Sequence, residues 1–259
     1  QLAGSARSAG KSVSFVYLIN IIGATFGSLF TGFYLLNEFS LSRAAILIVI
    51  SGAFGATIIL IIQGIKNKTS VFKKVIPMAI IFSLTFMLED KIFDGFLENL
   101  QYEKEYPRTQ SFKTVVENRS GIITIDEATK SGDADIVYGG GIYDGRYAVD
   151  PRSPNGIHRC YMIAGLHRKP SKVLEIGFSS GSWAAALMRH EAVNELKVIE
   201  INSGYLEVIK NYEEHNQLLS NPKVDIEIND GRRWLGVQPN DVSFDFMLMN
   251  TTFHWRSHA

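Results

Sequence analysis

Two long stretches without a single charge constrain this chain more than anything else in it. Val13 to Leu36 reads VSFVYLINIIGATFGSLFTGFYLL, and Ala44 to Ile65 reads AAILIVISGAFGATIILIIQGI. Each is as long as the roughly 20 apolar residues a helix needs to cross the hydrocarbon core of a bilayer. Gly23 and Gly27, and likewise Gly52 and Ala56, stand four apart, a spacing compatible with close approach of helix backbones in lipid. Val75 to Leu88, VIPMAIIFSLTFML, is shorter. It spans only if flanking Lys73, Lys74 and Lys91 extend their charges to the interface. Residues 1–97 are therefore expected to form a transmembrane helical region, with spans at about 13–36, 44–65 and a third, shorter segment at 75–88. Residues 1–12, QLAGSARSAGKS, are small and basic and lack the apolar core of a cleavable signal.

The rest of the composition removes several classes of function. Twenty-six basic residues balance 26 acidic ones in 259, so no global field attracts nucleic acid. One cysteine, Cys160, excludes an internal disulfide framework and a Cys-rich metal site. It reads as an ordinary buried thiol. No pair of histidines has metal-ligand spacing such as H-E-x-x-H, and no metal is expected.

From about Glu98 the chain turns polar. TVVENRSGIITIDEA and ADIVYGGGIYDGRYAVD are β-rich runs punctuated by Gly and Asp, which predicts a small antiparallel sheet over 98–150. After Pro170 the pattern alternates. Strands are expected at Lys172–Gly177, Leu196–Ile201, Lys223–Asn229 and Phe244–Met249, and helices at Ser182–His190 and Ser203–Leu219. Such alternation predicts a parallel sheet flanked by helices, an α/β Rossmann-like domain over 151–259.

Ligands of such sheets sit at the carboxyl ends of the strands, and the motifs fall there. Gly177 and Gly181 flank the first turn, where a side chain would keep a ligand off the backbone. Glu175 lies inside the first strand, next to that loop, as a further polar contact or a support behind it. Glu200 ends the second strand, placed to accept from two ribose hydroxyls. Asp230, followed by Gly231 in NDGRRW, is placed to accept from an adenine amino group. The loop GFSSGS has neither the G-K-[ST] ending of a phosphate loop nor the G-x-G-x-x-G form of a dinucleotide loop. It suits an adenosine with a sulfonium arm.

Those residues resemble the spermidine synthase family, within the S-adenosylmethionine-type Rossmann class, over roughly Val115 to Asn250. The whole chain looks like the membrane-fused spermidine synthase-like proteins, in which a helical region related to major-facilitator transporters precedes the transferase domain. The resemblance implies S-adenosylmethionine or its decarboxylated form as co-substrate, and aminopropyl transfer to an amine. Glu200 and the pair Asp230-Gly231 match the family pattern. Asp144-Gly145 is kept, but Ala148 stands where the family has Gln. His158 survives as a candidate substrate contact, while Ser153, Ile157 and Arg159 replace Asp, Tyr and Glu. Ser180 replaces the Asp that would meet the amino group of the ligand's arm. In the loop NTTFH, Asn250 and Phe253 replace two aspartates.

Aminopropyl transfer needs a neutral amine and a group to take up its proton. Asn250 accepts hydrogen bonds but is no base, so His254, four residues on, is the candidate replacement. Asp144, Asn250 and His254 are thus the candidate catalytic residues. Adenosine recognition is expected to be kept and polyamine recognition rebuilt. Two alternatives stay open: a methyltransferase, and a non-catalytic nucleoside-sensing module of a transporter-like membrane protein. The expected partners are a small-molecule amine or other acceptor, the lipid bilayer, and a second copy of the chain. The four lysines of KNKTSVFKK put that connector in the cytoplasm. A third full span would then place the domain outside, whereas supply of its co-substrate favours the cytoplasmic side. The edge of the strand Phe244–Met249 would be bare with the chain ending at NTTFHWRSHA, so residues 1–259 are expected to be a piece of a longer protein.

Overall fold

The computed structural model describes residues 2–66, 72–102, 111–130, 132–239 and 241–250. They divide into two compact units, one running up to Asp94 with Glu117–Arg119, the other Gly95–Val116 with Ser120 onward.

The first unit is helical. Leu2–Phe30 continues through a π-helical turn, Thr31–Leu35, into Leu36–Glu38; Leu41–Lys66 and Phe72–Met87 follow. Gly10–Glu38 and Leu41–Ile65 are long and apolar enough to cross a membrane, whereas Val75–Met87 is shorter. Their apolar side chains face outward: Phe15, Phe54 and Ile62 are all exposed.

The second unit holds the parallel sheet and, apart from Glu117–Asn118 at the end of its first strand, the small sheet. β1 (Thr114–Asn118), β2 (Gly121–Asp126), β3 (Ile136–Gly139) and β4 (Ile142–Arg146) form the antiparallel sheet in sequential order. β5 (Lys172–Ile176), β6 (Glu195–Glu200), β7 (Val224–Ile228) and β8 (Phe246–Met249) form the second, in the order β7-β6-β5-β8, parallel throughout. β5 lies inside, and Val173, Leu174, Glu175 and Ile176 are all buried. Strands covered on both faces read as near-continuous apolar runs, which makes the glutamate in VLEI anomalous.

One face of the parallel sheet joins the main core, with Val173, Phe178, Trp183, Leu187 and Val198. The other face packs Leu174, Ile176 and Ile199 against Trp234. The small sheet, apart from the Glu117–Asn118 end of β1, and the parallel sheet belong to one compact unit.

Two helical expectations change. The segment 203–219 is not one helix but Gly204–Val208 and Glu213–Asn216 with 3-10 turns Ile209–Asn211 and Gln217–Ser220. The break is at Tyr212, which is extended (φ −120°, ψ 101°). Its ring stacks on Tyr147 at 3.4 Å, and its hydroxyl donates to Asp135 at 2.7 Å. Those contacts override local helix propensity. Gly231–Gly236, not anticipated, is a short helix whose N-cap is Asp230.

Candidate functional site

A cleft of about 910 Å³ lies at the carboxyl ends of the parallel strands, within the second unit. Its floor comes from Ile176-Gly177, Glu200 to Asn202, Asn229 to Arg232 and Met249-Asn250. The opposite wall comes from the small sheet: Ser120 to Ile122, Gly139-Gly140 and Asp144. The volume suits a small-molecule ligand of nucleoside size.

The glycine loop is shaped by the protein's own packing. Gly177 adopts φ +91°, and a Cβ there would lie 2.1 Å from the carbonyl oxygen of Asn250. Gly181 adopts φ +74°, and a Cβ there would meet Ile209 at 2.7 Å and Phe178 at 2.9 Å. Both conformations favour glycine. Gly177 clears a neighbouring backbone carbonyl and lines the cleft as well. Gly181 makes room for core side chains and does not line the cleft.

Three serines then fasten the loop to β4. Ser179 Oγ donates to the Asp144 carbonyl at 3.0 Å, and Ser180 Oγ to the Arg146 carbonyl at 3.0 Å. Ser182 Oγ donates to the same Arg146 carbonyl at 2.6 Å and lies 2.9 Å from Nε2 of buried His215. Ser179, in left-handed conformation at φ 49°, lines the cleft. Ser180, read from sequence as the ligand contact, is buried and turned toward β4, outside the lining.

Glu200 occupies the centre of the floor. Its Oε2 accepts from the Phe178 N–H at 2.7 Å and its Oε1 from the Asn202 N–H at 2.8 Å. A carboxylate offers about four acceptor positions, and the backbone N–H of Ser179 is a third donor to this one. Burial raises the Glu200 pKa; the backbone donors of Asn202, Phe178 and Ser179 work against that rise, and nearby Asp144 adds to it. Asp230 Oδ1 accepts from the Arg233 N–H at 2.7 Å, capping the short helix. Its carboxylate serves as a cap and lines the cleft as well.

The structure therefore brings together Asp144, Gly177, Glu200, Asp230, Gly231 and Asn250. Two other candidates lie elsewhere. Glu175 is fully buried, with neither carboxylate oxygen hydrogen-bonded, and it is not in the lining. Burial, and then the charge of Glu200, push its pKa well above the usual carboxylate range. It is an apolar-core acid rather than a ligand contact. His158 is exposed on the turn His158–Tyr161 and does not line the cleft. His254 lies outside the described residues, as does Phe253. Among the described residues no His/Cys/Asp/Glu cluster suits a metal ion.

Sequence reasoning missed Asn202, Tyr205 and, apart from Asp144, the small-sheet wall. Asn202, two residues past a strand-end acid, was findable by the strand-end rule. The turns at Ser120–Ile122 and Gly139-Gly140 carry no signal of a ligand, because only the packing of two sheets puts them there.

Residues 160–255 match the spermine/spermidine synthase domain. A stretch of 71 residues is 32% identical to polyamine aminopropyltransferase 2 of Hyperthermus butylicus, covering 27% of this chain and 23% of that protein. Among solved structures, a spermidine synthase in complex with the transition-state analogue AdoDATO aligns at 20% identity and TM-score 0.45, over 54% of this chain and 46% of that one. Spermidine synthase from Thermotoga maritima aligns at 20% identity and TM-score 0.45, over 55% and 47%. The chain thus spans about a quarter of the curated relative and under half of each solved structure. Most of the parallel-sheet region that forms the floor of the cleft is similar to a spermine/spermidine synthase domain.

Proposed function

We propose that the chain is a membrane-anchored, spermidine synthase-like transferase whose cleft holds decarboxylated S-adenosylmethionine or S-adenosylmethionine. The observation that carries this reading is Glu200, a buried carboxylate at a strand end that lines the cleft. That arrangement suits the paired hydroxyls of a ribose. Asp230 stands at the end of the neighbouring strand, in reach of the same cleft. The match over residues 160–255 and the relative named a polyamine aminopropyltransferase support aminopropyl transfer. Two helices of membrane-spanning length support the anchor.

In that reaction the acceptor nitrogen forms a bond to the carbon beside the sulfonium. The C–S bond breaks, methylthioadenosine leaves, and the nitrogen gives up a proton. Asn250 lines the cleft with a neutral amide, which neither takes up a proton at neutral pH nor attracts a dication, and the acceptor in this reading is one other than putrescine. Asp144 is the carboxylate of the small-sheet wall available to that chemistry. Asn250 also favours a second reading, a nucleoside-sensing module without turnover.

Calorimetry on the full chain with decarboxylated S-adenosylmethionine, S-adenosylmethionine and methylthioadenosine tests the pocket. Binding of none of them overturns it. Turnover decides between the readings: product formed from labelled co-substrate by intact membranes, and lost in Glu200→Ala, excludes the sensor. S-adenosylhomocysteine in place of methylthioadenosine would identify methyl transfer.

A further inference from the structure

The cleft contains an acid–phenol pair that ribose and adenine recognition leave unused. Asp144 stands on β4 and lines the cleft. Tyr205, on the helix Gly204–Val208 after β6, donates its phenolic O–H to Asp144 Oδ2 at 2.6 Å. That is the length of a charge-assisted O–H···O⁻ bond. The partners stand 61 positions apart in sequence, so packing of the small sheet on the parallel-sheet layer creates the pair. Ser179 holds the same residue from the loop side, through the Asp144 carbonyl at 3.0 Å.

The surroundings specify what such a pair would bind. Asp144, Glu200 and Asp230 line the cleft, and Arg232 is the one Lys or Arg among the described lining residues. Glu200 interacts electrostatically with both Asp144 and Tyr205. A cleft with that balance attracts a ligand bearing positive charge near Asp144. Gly139 leaves the space the phenol needs: a Cβ there would fall 2.5 Å from the Tyr205 oxygen and 3.7 Å from Asp144 Oδ2.

We propose that Asp144 and Tyr205 form a preoriented subsite for the ammonium group on the arm of a nucleoside sulfonium, with Tyr205 as the positioning residue. The inference rests on the nucleoside reading above. The phenol holds the carboxylate in one orientation before the ligand arrives, so less freedom is lost on binding. The ammonium, with three donors and no acceptor, then pairs with that carboxylate, whereas the neutral thioether of methylthioadenosine gains nothing from it.

The experiment is a comparison of two ligands on the purified full chain: decarboxylated S-adenosylmethionine, which carries the ammonium arm, and methylthioadenosine, which does not. The wild type is expected to prefer the former. Tyr205→Phe should cut that preference about tenfold, the worth of one hydrogen bond to a charged group, and leave methylthioadenosine binding unchanged. Asp144→Asn should abolish the preference. Gly139→Ala, which alters neither member of the pair, should displace the phenol and reproduce Tyr205→Phe. Equal loss of both ligands in Tyr205→Phe, at an unchanged melting temperature, would show a structural role only and overturn the proposal. So would a wild type that binds both ligands equally, and in that case the nucleoside pocket stands. Binding of neither ligand by the wild type removes the subsite together with the pocket.

Discussion

The two units of this molecule spend the same residue types in opposite ways. In the helical unit Phe15, Phe54 and Ile62 point away from the protein, while in the α/β unit Phe178, Ile123 and Leu174 are wholly enclosed. A large apolar surface left exposed marks an interface or a membrane. An enclosed one carries the stability of the fold. The difference teaches that high apolar content in this chain has two separate causes, and that a substitution should be judged by the unit it falls in.

Phe178→Ala should sharpen that contrast most. It empties a site between the glycine loop and the core, and large aromatic truncations of this kind cost about 3–5 kcal/mol. Phe54→Ala, on an exposed helix face, should leave the melting of the α/β unit where it was. Denaturant titration followed by tryptophan fluorescence, with Trp183 in the same core cluster, would measure both. Equal effects of the two substitutions would break the comparison.

Phe54→Lys, at the middle of Leu41–Ile65, tests the helical unit directly. A lysine near the middle of a spanning helix costs about 2.5–3.5 kcal/mol of insertion. Alkaline extraction of membranes should release a larger share of the variant than of the wild type. An unchanged share would show that this face does not meet lipid.

A smaller effect comes from Glu175, an acid enclosed in the α/β core. Its carboxyl is buried without a hydrogen bond, so Glu175→Leu should stabilise the unit, by about 1–3 kcal/mol. The pH dependence has a definite sign. The folded-state pKa lies above the ordinary value of 4.5, so between the two values the folded chain holds a proton that the unfolded chain has released. Wild-type stability should therefore fall as pH rises above 4.5, by about 1.4 kcal/mol per unit for this group. Glu200 shifts in the same direction and is present in both proteins, so their difference reports Glu175 together with its coupling to Glu200. A stability gap between variant and wild type that stays constant from pH 4 to 7 would refute the assignment.

Much of this was legible in the residues themselves. Uncharged length marks Val13–Leu36 and Ala44–Ile65, because the bilayer's thickness sets a length that sequence displays directly. Alternation of β-rich and helical runs marks β5 to β8, since side-chain periodicity follows backbone geometry. Glu200, Asp230 and the glycine loop could be placed by their strand-end positions alone. The reasons behind some of those placements could not. Gly177 faces the Asn250 carbonyl, and Ser180 turns to β4 because Arg146 offers its carbonyl there. The break of the helix at Tyr212, the burial of Glu175 and the bond between Tyr205 and Asp144 have the same origin. Each depends on a partner distant in sequence, and no local pattern records which distant residue will arrive. Sequence by itself determined the elements and which strand ends bear acids, whereas only the packing of the small sheet on the parallel-sheet layer decided which side chains meet across the cleft.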